Sequence, residues 1–220
     1  MELLIFQLAV LIFSVIIHEV SHGYVAEYLG DPTARNAGRL TLNPIPHMSL
    51  FGMVIFPIIS YFAWGIPVGA AKPVPYNPNN LKDPRRGGAL IAVAGPASNL
   101  VIAVVFGIIL RAMSMAGVLS GTLANAFGLV VYLNILLAIF NLVPIPPLDG
   151  SKVVPLLLPR RAAFHWDHFW NRAQAWIQQN FLLFIILFMF FFRYVLHAVF
   201  FVIGPVIEFL FTLIAGLPVF

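Results

Sequence analysis

The chain contains no cysteine and very few charged residues. Without cysteine it can form neither disulfide bonds nor a thiolate metal site, so any bound metal must rely on His, Asp and Glu. Charged residues make up 9% of the 220 residues, whereas soluble domains contain about 25%. With 61% hydrophobic residues, the chain has more apolar surface than a soluble domain of this size can bury. The composition therefore predicts a polytopic membrane protein.

Four segments are long and apolar enough to cross a bilayer, which takes about 20 residues of helix. They are residues 3–24, 88–110, 123–143 and about 177–196. We expect the first to be retained rather than cleaved, because Glu2 stands where a signal peptide has a basic residue, and no small-residue cleavage site follows Ile17. The tail, residues 200–220, is expected to form a half-helix or an interfacial segment.

A shorter apolar stretch, residues 50–64, is not expected to span the membrane. Gly52 and Pro57 interrupt it, and such breaks at membrane depth occur where the backbone is buried in protein or lines a cavity. We predict a re-entrant loop or a short strand pair here. The expected fold class is therefore an all-α polytopic membrane protein with about four transmembrane helices, in one domain covering residues 1–220.

The positive charges predict the orientation of the spans. Net charge is +4, but the cations are too scattered for a nucleic-acid-binding face, and we expect no nucleic-acid partner. Ten of the twelve Lys and Arg residues fall in the two connections that share one side of the membrane: Arg35, Arg39, Lys72, Lys82, Arg85, Arg86, Lys152, Arg160, Arg161 and Arg172. The positive-inside rule places these connections in the cytoplasm and the N-terminus outside.

The most informative motif is His18-Glu19-Val20-Ser21-His22. Histidines four apart on a helix project from one face, so both imidazoles can reach a single ion. Glu19, one residue on, can act as a general base on water at that ion without becoming a ligand. The pattern alone arises by chance in many proteins, but three ionisable groups within a nearly apolar span are costly and mark a functional site.

The depth of the motif can be estimated from helix geometry. At a rise of about 1.5 Å per residue, His18 lies about 22 Å along the helix from Leu3. The hydrocarbon core is about 30 Å thick, so the motif lies inside it but nearer the cytoplasmic face. The alternative is a polar helix end at the interface, although Lys, Arg, Trp or Tyr would be the usual anchors there.

A catalytic zinc site needs a third protein ligand, and Asp149 is the candidate. It follows the third span after a proline-rich segment that unwinds the helix, and Gly150 permits an unusual backbone that turns the carboxylate inward. If residues 50–64 do not span, two crossings separate the motif from Asp149, and the groups meet on the cytoplasmic side. The alternative is an ordinary surface turn in which Asp precedes Gly.

Three further residues are weaker candidates for substrate contact or oxyanion stabilisation. His47, in a proline-rich loop, is a loop histidine, a group near the substrate or, least expected, a ligand. Asn99 follows the small residues of Gly95-Pro96-Ala97-Ser98, where a hydrogen bond between helices is the simpler interpretation. Asn141, eight residues before Asp149, can hold a substrate carbonyl or only finish a helix.

Together these motifs resemble the site-2 protease family of intramembrane zinc metalloproteases. The resemblance covers roughly residues 10–155, the expected catalytic core, and a separate C-terminal helical region is expected at about 165–220. It rests, in this order, on the five residues from His18 to His22, on Asn43-Pro44 with His47, on Ala71-Lys72-Pro73-Val74-Pro75, on Gly95-Pro96-Ala97-Ser98-Asn99, and on Asn141 to Gly150.

The resemblance implies one zinc ion per chain, held by His18, His22 and Asp149, with Glu19 as general base and Asn141 near the substrate. It further implies cleavage of a transmembrane protein or peptide in the cell membrane, with residues 50–64 pairing with the unwound substrate. In this family an acidic residue often stands two positions after the match to His47, where this chain has Ser49. The main rival hypothesis is a metal transporter, although transit sites are usually weaker and multiple.

Overall fold

The computed structural model describes residues 2–49, 58 and 71–217. Seven α-helices lie within these ranges: α1 (Glu2–Tyr28), α2 (Thr33–Asn36), α3 (Pro84–Met115), α4 (Gly121–Asn141), α5 (Gly150–Leu157), α6 (Arg160–Gln179) and α7 (Phe181–Ala215). Two short 3-10 turns, Ile45–His47 and Pro78–Asn80, lie in the connections. The described residues include no strand, and the predicted all-α fold class is confirmed.

Within the described part of the chain, four helices are long and apolar enough to cross a membrane. The candidate spans are Ile5–Tyr28, Pro84–Met115, Gly121–Asn141 and His197–Ala215. The number of spans agrees with the sequence-based prediction, and the chain is a multi-pass membrane protein. The expected loop or strand pair at residues 50–64 lies outside the described residues, apart from Ile58.

The C-terminal region differs from the expectation in that the tail is part of a long helix. Residues 181–215 form one continuous helix, α7, and among its described residues His197–Ala215 is long and apolar enough to cross a membrane. Residues 200–215 are therefore the end of a long helix and not a separate half-helix. At about 1.5 Å per residue, α7 is about 52 Å long, which exceeds the hydrocarbon thickness of about 30 Å.

Helix α3 is the centre of the bundle and packs against α1, α4, α5 and α7. The main buried cluster joins α3, α4 and α7; its members are Ala103, Leu110, Val131, Ile135, Ile203, Ile207, Phe211 and Ala215. Leu213 and Ile214 lie in the last turn of α7, where carbonyl oxygens have no acceptor role within the helix. Both oxygens instead accept hydrogen bonds from the side chain of Arg111 of α3. This contact fixes the last turn of α7 against α3.

The connection between α1 and α3 is held by a buried carboxylate. Asp31 is fully buried and accepts hydrogen bonds from the backbone N–H of Asn77, over 2.6 Å, and from the side chain of Asn80, over 2.7 Å. It also accepts from the backbone and hydroxyl of Thr33. Burial raises the pKa of Asp31, but these hydrogen bonds lower it by more, so its net pKa lies below the ordinary value. The carboxylate thus ties residues 77–80 to the end of α1.

Candidate metal centre

Two imidazoles of α1 and one carboxylate converge at a single point. Nε2 of His18 lies 3.1 Å from Oδ2 of Asp149, and Nε2 of His22 lies 3.2 Å from the same oxygen. The potential ligand atoms of these three residues all lie within 4.8 Å of one another. Helical spacing brings the two histidines together, and the loop after α4 brings in Asp149. The structure therefore brings together the three residues that the sequence singled out.

The outer nitrogen of each imidazole is engaged by an acceptor. Nδ1 of His18 lies 2.6 Å from Oδ1 of Asn99, and Nδ1 of His22 lies 2.6 Å from the backbone oxygen of Ile91. Nδ1 of each ring must therefore carry a proton, and in the neutral imidazole this leaves a lone pair on Nε2. Both lone pairs face a carboxylate oxygen, an arrangement that repels unless a cation lies between them. Two neutral imidazoles and a carboxylate are donors that zinc accepts, so the residues fit the metal.

Gly95 of α3 makes room for this cluster. A Cβ atom at this position would lie 2.5 Å from Nε2 of His18 and 2.6 Å from Cε1 of His22, closer than carbon atoms approach other groups. Any larger residue would push the imidazoles away from Asp149. The small residues around Pro96, expected to allow close helix packing, thus allow α3 to approach the two rings.

Asp149 is positioned by a tight return of the chain. It is the N-cap residue of α5, with helical backbone angles. A Cβ on Gly150 would lie 2.1 Å from the carbonyl oxygen of Leu142, so this glycine is required by close backbone contact. The expectation that Gly150 adopts an unusual backbone is wrong, because it begins α5 and its φ is not positive. What turns the carboxylate inward is the loop folding back onto the end of α4.

Glu19 lies beside the cluster. Its Oε2 accepts a hydrogen bond from the backbone N–H of Val74 over 2.8 Å, and Oε1 has no hydrogen-bond partner among the described residues. The carboxylate is partly buried and lines the same cavity as His18 and His22. One oxygen is thus held by the chain, and the other is available for proton transfer.

A cavity of about 870 Å³ opens onto the cluster. The motif of α1 and Asp149 line one side of it, and Trp166 and Trp170 of α6 line another. Nε1 of Trp166 donates a hydrogen bond to the backbone oxygen of Ser151, over 3.1 Å, which fixes α6 against α5. The cavity has room for water and for several residues of an extended peptide.

The three weaker candidates lie in different places. Asn141 lines the cavity, and its Nδ2 donates to the backbone oxygen of Leu137 in its own helix. Asn99 is fully buried and contacts His18, so it does not face the cavity. His47 is buried in its loop, with Nε2 2.8 Å from the oxygen of Thr41 and Nδ1 3.5 Å from a guanidinium nitrogen of Arg39. The structure does not bring His47 together with His18, His22 and Asp149.

Asn134 and Ser14, which contact Asn99 on the side away from His18, were not among the residues predicted from the sequence. Both are buried, and Nδ2 of Asn134 donates to the hydroxyl of Ser14 over 2.9 Å. Nδ2 of Asn99 in turn donates to Oδ1 of Asn134, also over 2.9 Å. The only sequence signal for them is that each is a polar residue within an otherwise apolar span.

The comparisons with known proteins point to one family. The sequence profile of peptidase family M50 matches residues 6–121 and 112–188. Both matches together take in α1 with its motif, the helices that pack against it, and Asp149. No solved structure gives a significant match to the chain.

Several relatives are named as zinc metalloproteases. "Putative zinc metalloprotease YwhC" of Bacillus subtilis is 39% identical over 164 residues, which cover 72% of this chain and 72% of that protein. "Putative zinc metalloprotease Rip2" of Mycolicibacterium smegmatis is 32% identical over 63% of this chain and 52% of its own length. "Putative zinc metalloprotease MJ0611" of Methanocaldococcus jannaschii is 41% identical over 64 residues, 29% of this chain and 31% of its own.

Proposed function

The chain belongs to peptidase family M50, and from this premise we propose that it is an intramembrane zinc metalloprotease. The proposed reaction is the hydrolysis of peptide bonds in or near transmembrane segments of other membrane proteins. The observation that carries the proposal is that Nε2 of His18 and Nε2 of His22 both face Oδ2 of Asp149, at 3.1 and 3.2 Å. These three residues would hold one zinc ion per chain.

The chain's own residues supply the other parts of the reaction. A bound zinc ion provides a Lewis acid that polarises a carbonyl group and acidifies water. Glu19 takes a proton from the attacking water at Oε1 and later delivers it to the leaving amine, while Oε2 stays bound to Val74. Asn141, on the cavity wall, is placed to hold a substrate carbonyl.

The substrate must reach the site in an extended form. A helical peptide bond is hydrogen-bonded and shielded by side chains, so the substrate helix must unwind locally before attack. The cavity of about 870 Å³ has room for such a segment beside the metal cluster. Residues 50–64, outside the described part of the chain, stay our candidate for pairing with it.

The proposed orientation follows from the charges. The connections that carry ten of the twelve Lys and Arg residues share one side of the membrane, which the positive-inside rule assigns to the cytoplasm. The N-terminus then lies outside, and the active site lies within the bilayer near its cytoplasmic face. We propose the cell membrane as the location and water entry from the cytoplasmic side.

The experiment that tests the proposal is cleavage by the purified chain in liposomes. The substrates are transmembrane peptides, some of which carry helix-breaking residues near the cytoplasmic end. We expect Glu19→Gln to abolish cleavage and to keep bound zinc, because Glu19 is outside the ligand set. Glu27→Gln, on the same helix but paired with Arg35 over 2.8 Å and away from the cavity, is the matched control and is expected to cleave normally.

Two results would overturn the proposal. One is equal cleavage of the same peptide by wild type and Glu19→Gln, since the mechanism requires this carboxylate. The other is zinc transport across the liposome membrane without peptide cleavage, with Glu19→Gln transporting equally well. That second result would favour a metal transporter that uses the same ligands.

A further inference from the structure

Three polar side chains form a buried relay behind the metal cluster. Ser14 of α1, Asn99 of α3 and Asn134 of α4 are 4%, 0% and 0% exposed. They join the three helices that surround His18, at the depth of the predicted hydrocarbon core. Polar groups in this position must satisfy one another, because neither water nor lipid offers them a partner.

A backbone carbonyl at one end of the relay fixes which groups donate and which accept hydrogen bonds along it. Nδ2 of Asn134 lies 2.9 Å from the backbone oxygen of Val130, which can only accept a hydrogen bond. The amide of Asn134 therefore cannot flip, and its Oδ1 must face Asn99. Its Nδ2 also donates to the hydroxyl oxygen of Ser14, over 2.9 Å, although a hydroxyl can bind either orientation of the amide.

The orientation of Asn134 in turn fixes the orientation of Asn99, which contacts His18. Because Oδ1 of Asn134 is an acceptor, it binds Nδ2 of Asn99, at 2.9 Å, and the backbone oxygen of Ser14 accepts a second, longer bond from Nδ2 at 3.4 Å. Oδ1 of Asn99 is left to face Nδ1 of His18, at 2.6 Å. A neutral His18 then carries its proton on Nδ1, and its Nε2 lone pair faces Asp149.

We infer that Asn134, oriented by the backbone oxygen of Val130, is a positioning residue that sets the tautomer of His18 through the amide of Asn99. This inference rests on the proposed zinc site, because Nε2 of His18 must be unprotonated to bind the metal. A flipped Asn99 would offer Nδ2 to Nδ1 of His18 and favour the tautomer with its proton on Nε2. His18 would then lose its lone pair on the side that faces Asp149.

A purely structural role for the relay predicts different behaviour. Hydrogen bonds between helices stabilise the bundle whichever way each amide points. Loss of Asn134 would then lower the stability of the metal-free protein and leave the intrinsic zinc affinity unchanged. The tautomer role predicts a loss of zinc affinity, and one that depends on whether residue 99 can flip.

The test is a double-mutant cycle on zinc affinity, measured with a competing chromogenic chelator. Asn134→Leu is expected to weaken zinc binding about 10- to 100-fold, the usual effect of losing a group that orients a metal ligand. In the Asn99→Asp background the same change is expected to cause no loss. A carboxylate presents acceptor oxygens in either orientation, so it keeps the proton of His18 on Nδ1 without help from Asn134.

Asn125→Leu is the matched control, because Asn125 lies on the same helix and is exposed. It is expected to bind zinc as wild type does. The thermal stability of each metal-free variant is measured in parallel. Should Asn134→Leu give no folded protein, Asn134→Ala is compared in the same two backgrounds.

The inference is overturned if Asn134→Leu weakens zinc binding equally in both backgrounds, or if it weakens zinc binding in neither. Failure of the proposed function gives a different pattern. If wild type binds no zinc, the metal site itself is refuted. If zinc binding follows the expected cycle but no peptide is cleaved, the relay stands and the protease proposal fails.

Discussion

The backbone N–H of Val74 donates a hydrogen bond to Oε2 of Glu19 over 2.8 Å. Pro73 and Pro75 have no N–H, so Val74 carries the single backbone donor of this three-residue stretch. The connection between α1 and α3 thus reaches the proposed general base with one group and holds one of its two oxygens. This contact orients the carboxylate so that Oε1 is left for proton transfer.

Removing that donor is expected to slow cleavage without removing the metal. Val74→Pro deletes the N–H, and a hydrogen bond to a charged group contributes about 1.5–3 kcal/mol, which corresponds to about 10- to 100-fold in kcat/KM. Val74→Ala keeps the N–H and loses only side-chain packing, so it is the matched control. Cleavage rates and zinc content of both variants give the comparison. Similar rates for the two variants would show that the N–H does not contribute.

A single methyl group at Gly95 is expected to eliminate tight zinc binding. The added Cβ would lie 2.5 Å from Nε2 of His18, so the imidazoles must move away from Asp149. We expect Gly95→Ala to bind zinc about 100-fold more weakly or not at all. The helix itself should not suffer, because Ala is favoured over Gly by about 1 kcal/mol in a helix.

Gly204→Ala is the matched control for this prediction. Gly204 also lies inside a helix, and a Cβ there would have no heavy atom within 4 Å. This variant is expected to keep full zinc affinity and a similar or higher melting temperature. Wild-type zinc affinity in Gly95→Ala, measured by chelator competition, would contradict the described packing of α3 against the two rings.

Zinc stoichiometry tests the third ligand. Wild type is expected to hold close to one zinc ion per chain after dialysis, and Asp149→Ala to hold much less, because two imidazoles alone bind zinc weakly. Asp167→Ala is the control, since Asp167 lines the same cavity but is outside the cluster. Elemental analysis of the three proteins gives the answer. An Asp149→Ala protein that keeps one tightly bound ion would refute this ligand assignment.

The convergence of His18, His22 and Asp149 could be predicted from the sequence because much of it depends on local geometry. Two histidines four apart share a helix face whatever the tertiary structure. Asp149 was predicted from a count of membrane crossings, which places it on the same side as His22 if residues 50–64 do not span. Its exact setting was not accessible, since the approach of Gly150 to Leu142 depends on how the loop returns.

Local sequence patterns predict neither the partners within the relay nor the position of the last span. An Asn in an apolar helix gives no sign of its partner, and only the rotation of α4 against α1 and α3 turns Asn134 toward Asn99. The C-terminal apolar run has no strong break between Phe181 and Ala215, because Pro205 is accommodated within the helix. A run longer than the bilayer leaves the position of its span undetermined by hydropathy.

Asp31 is expected to make stability depend on pH. Burial raises the pKa of Asp31, but its hydrogen bonds lower the pKa by more, so the net pKa is lowered in the folded protein. A lowered pKa stabilises the fold fully above the unfolded value of about 3.9, and this contribution disappears as pH falls through the folded pKa. Asp31→Asn places an amide where only acceptors fit, so we expect a loss of about 1–3 kcal/mol near neutral pH.

The pH dependence separates the charge of Asp31 from its shape. The gap in melting temperature between wild type and Asp31→Asn should be constant above about pH 5 and narrow below about pH 4, since only wild type loses a charge there. Asp83→Asn is the control, because Asp83 is the N-cap of α3 and Asn caps equally well. A gap that stays constant down to pH 2 would mean that the carboxylate's charge is not what holds residues 77–80. The connection that Asp31 holds also contains Val74, which binds Glu19. Asp31→Asn is therefore also expected to slow cleavage at neutral pH, while zinc content stays near that of wild type.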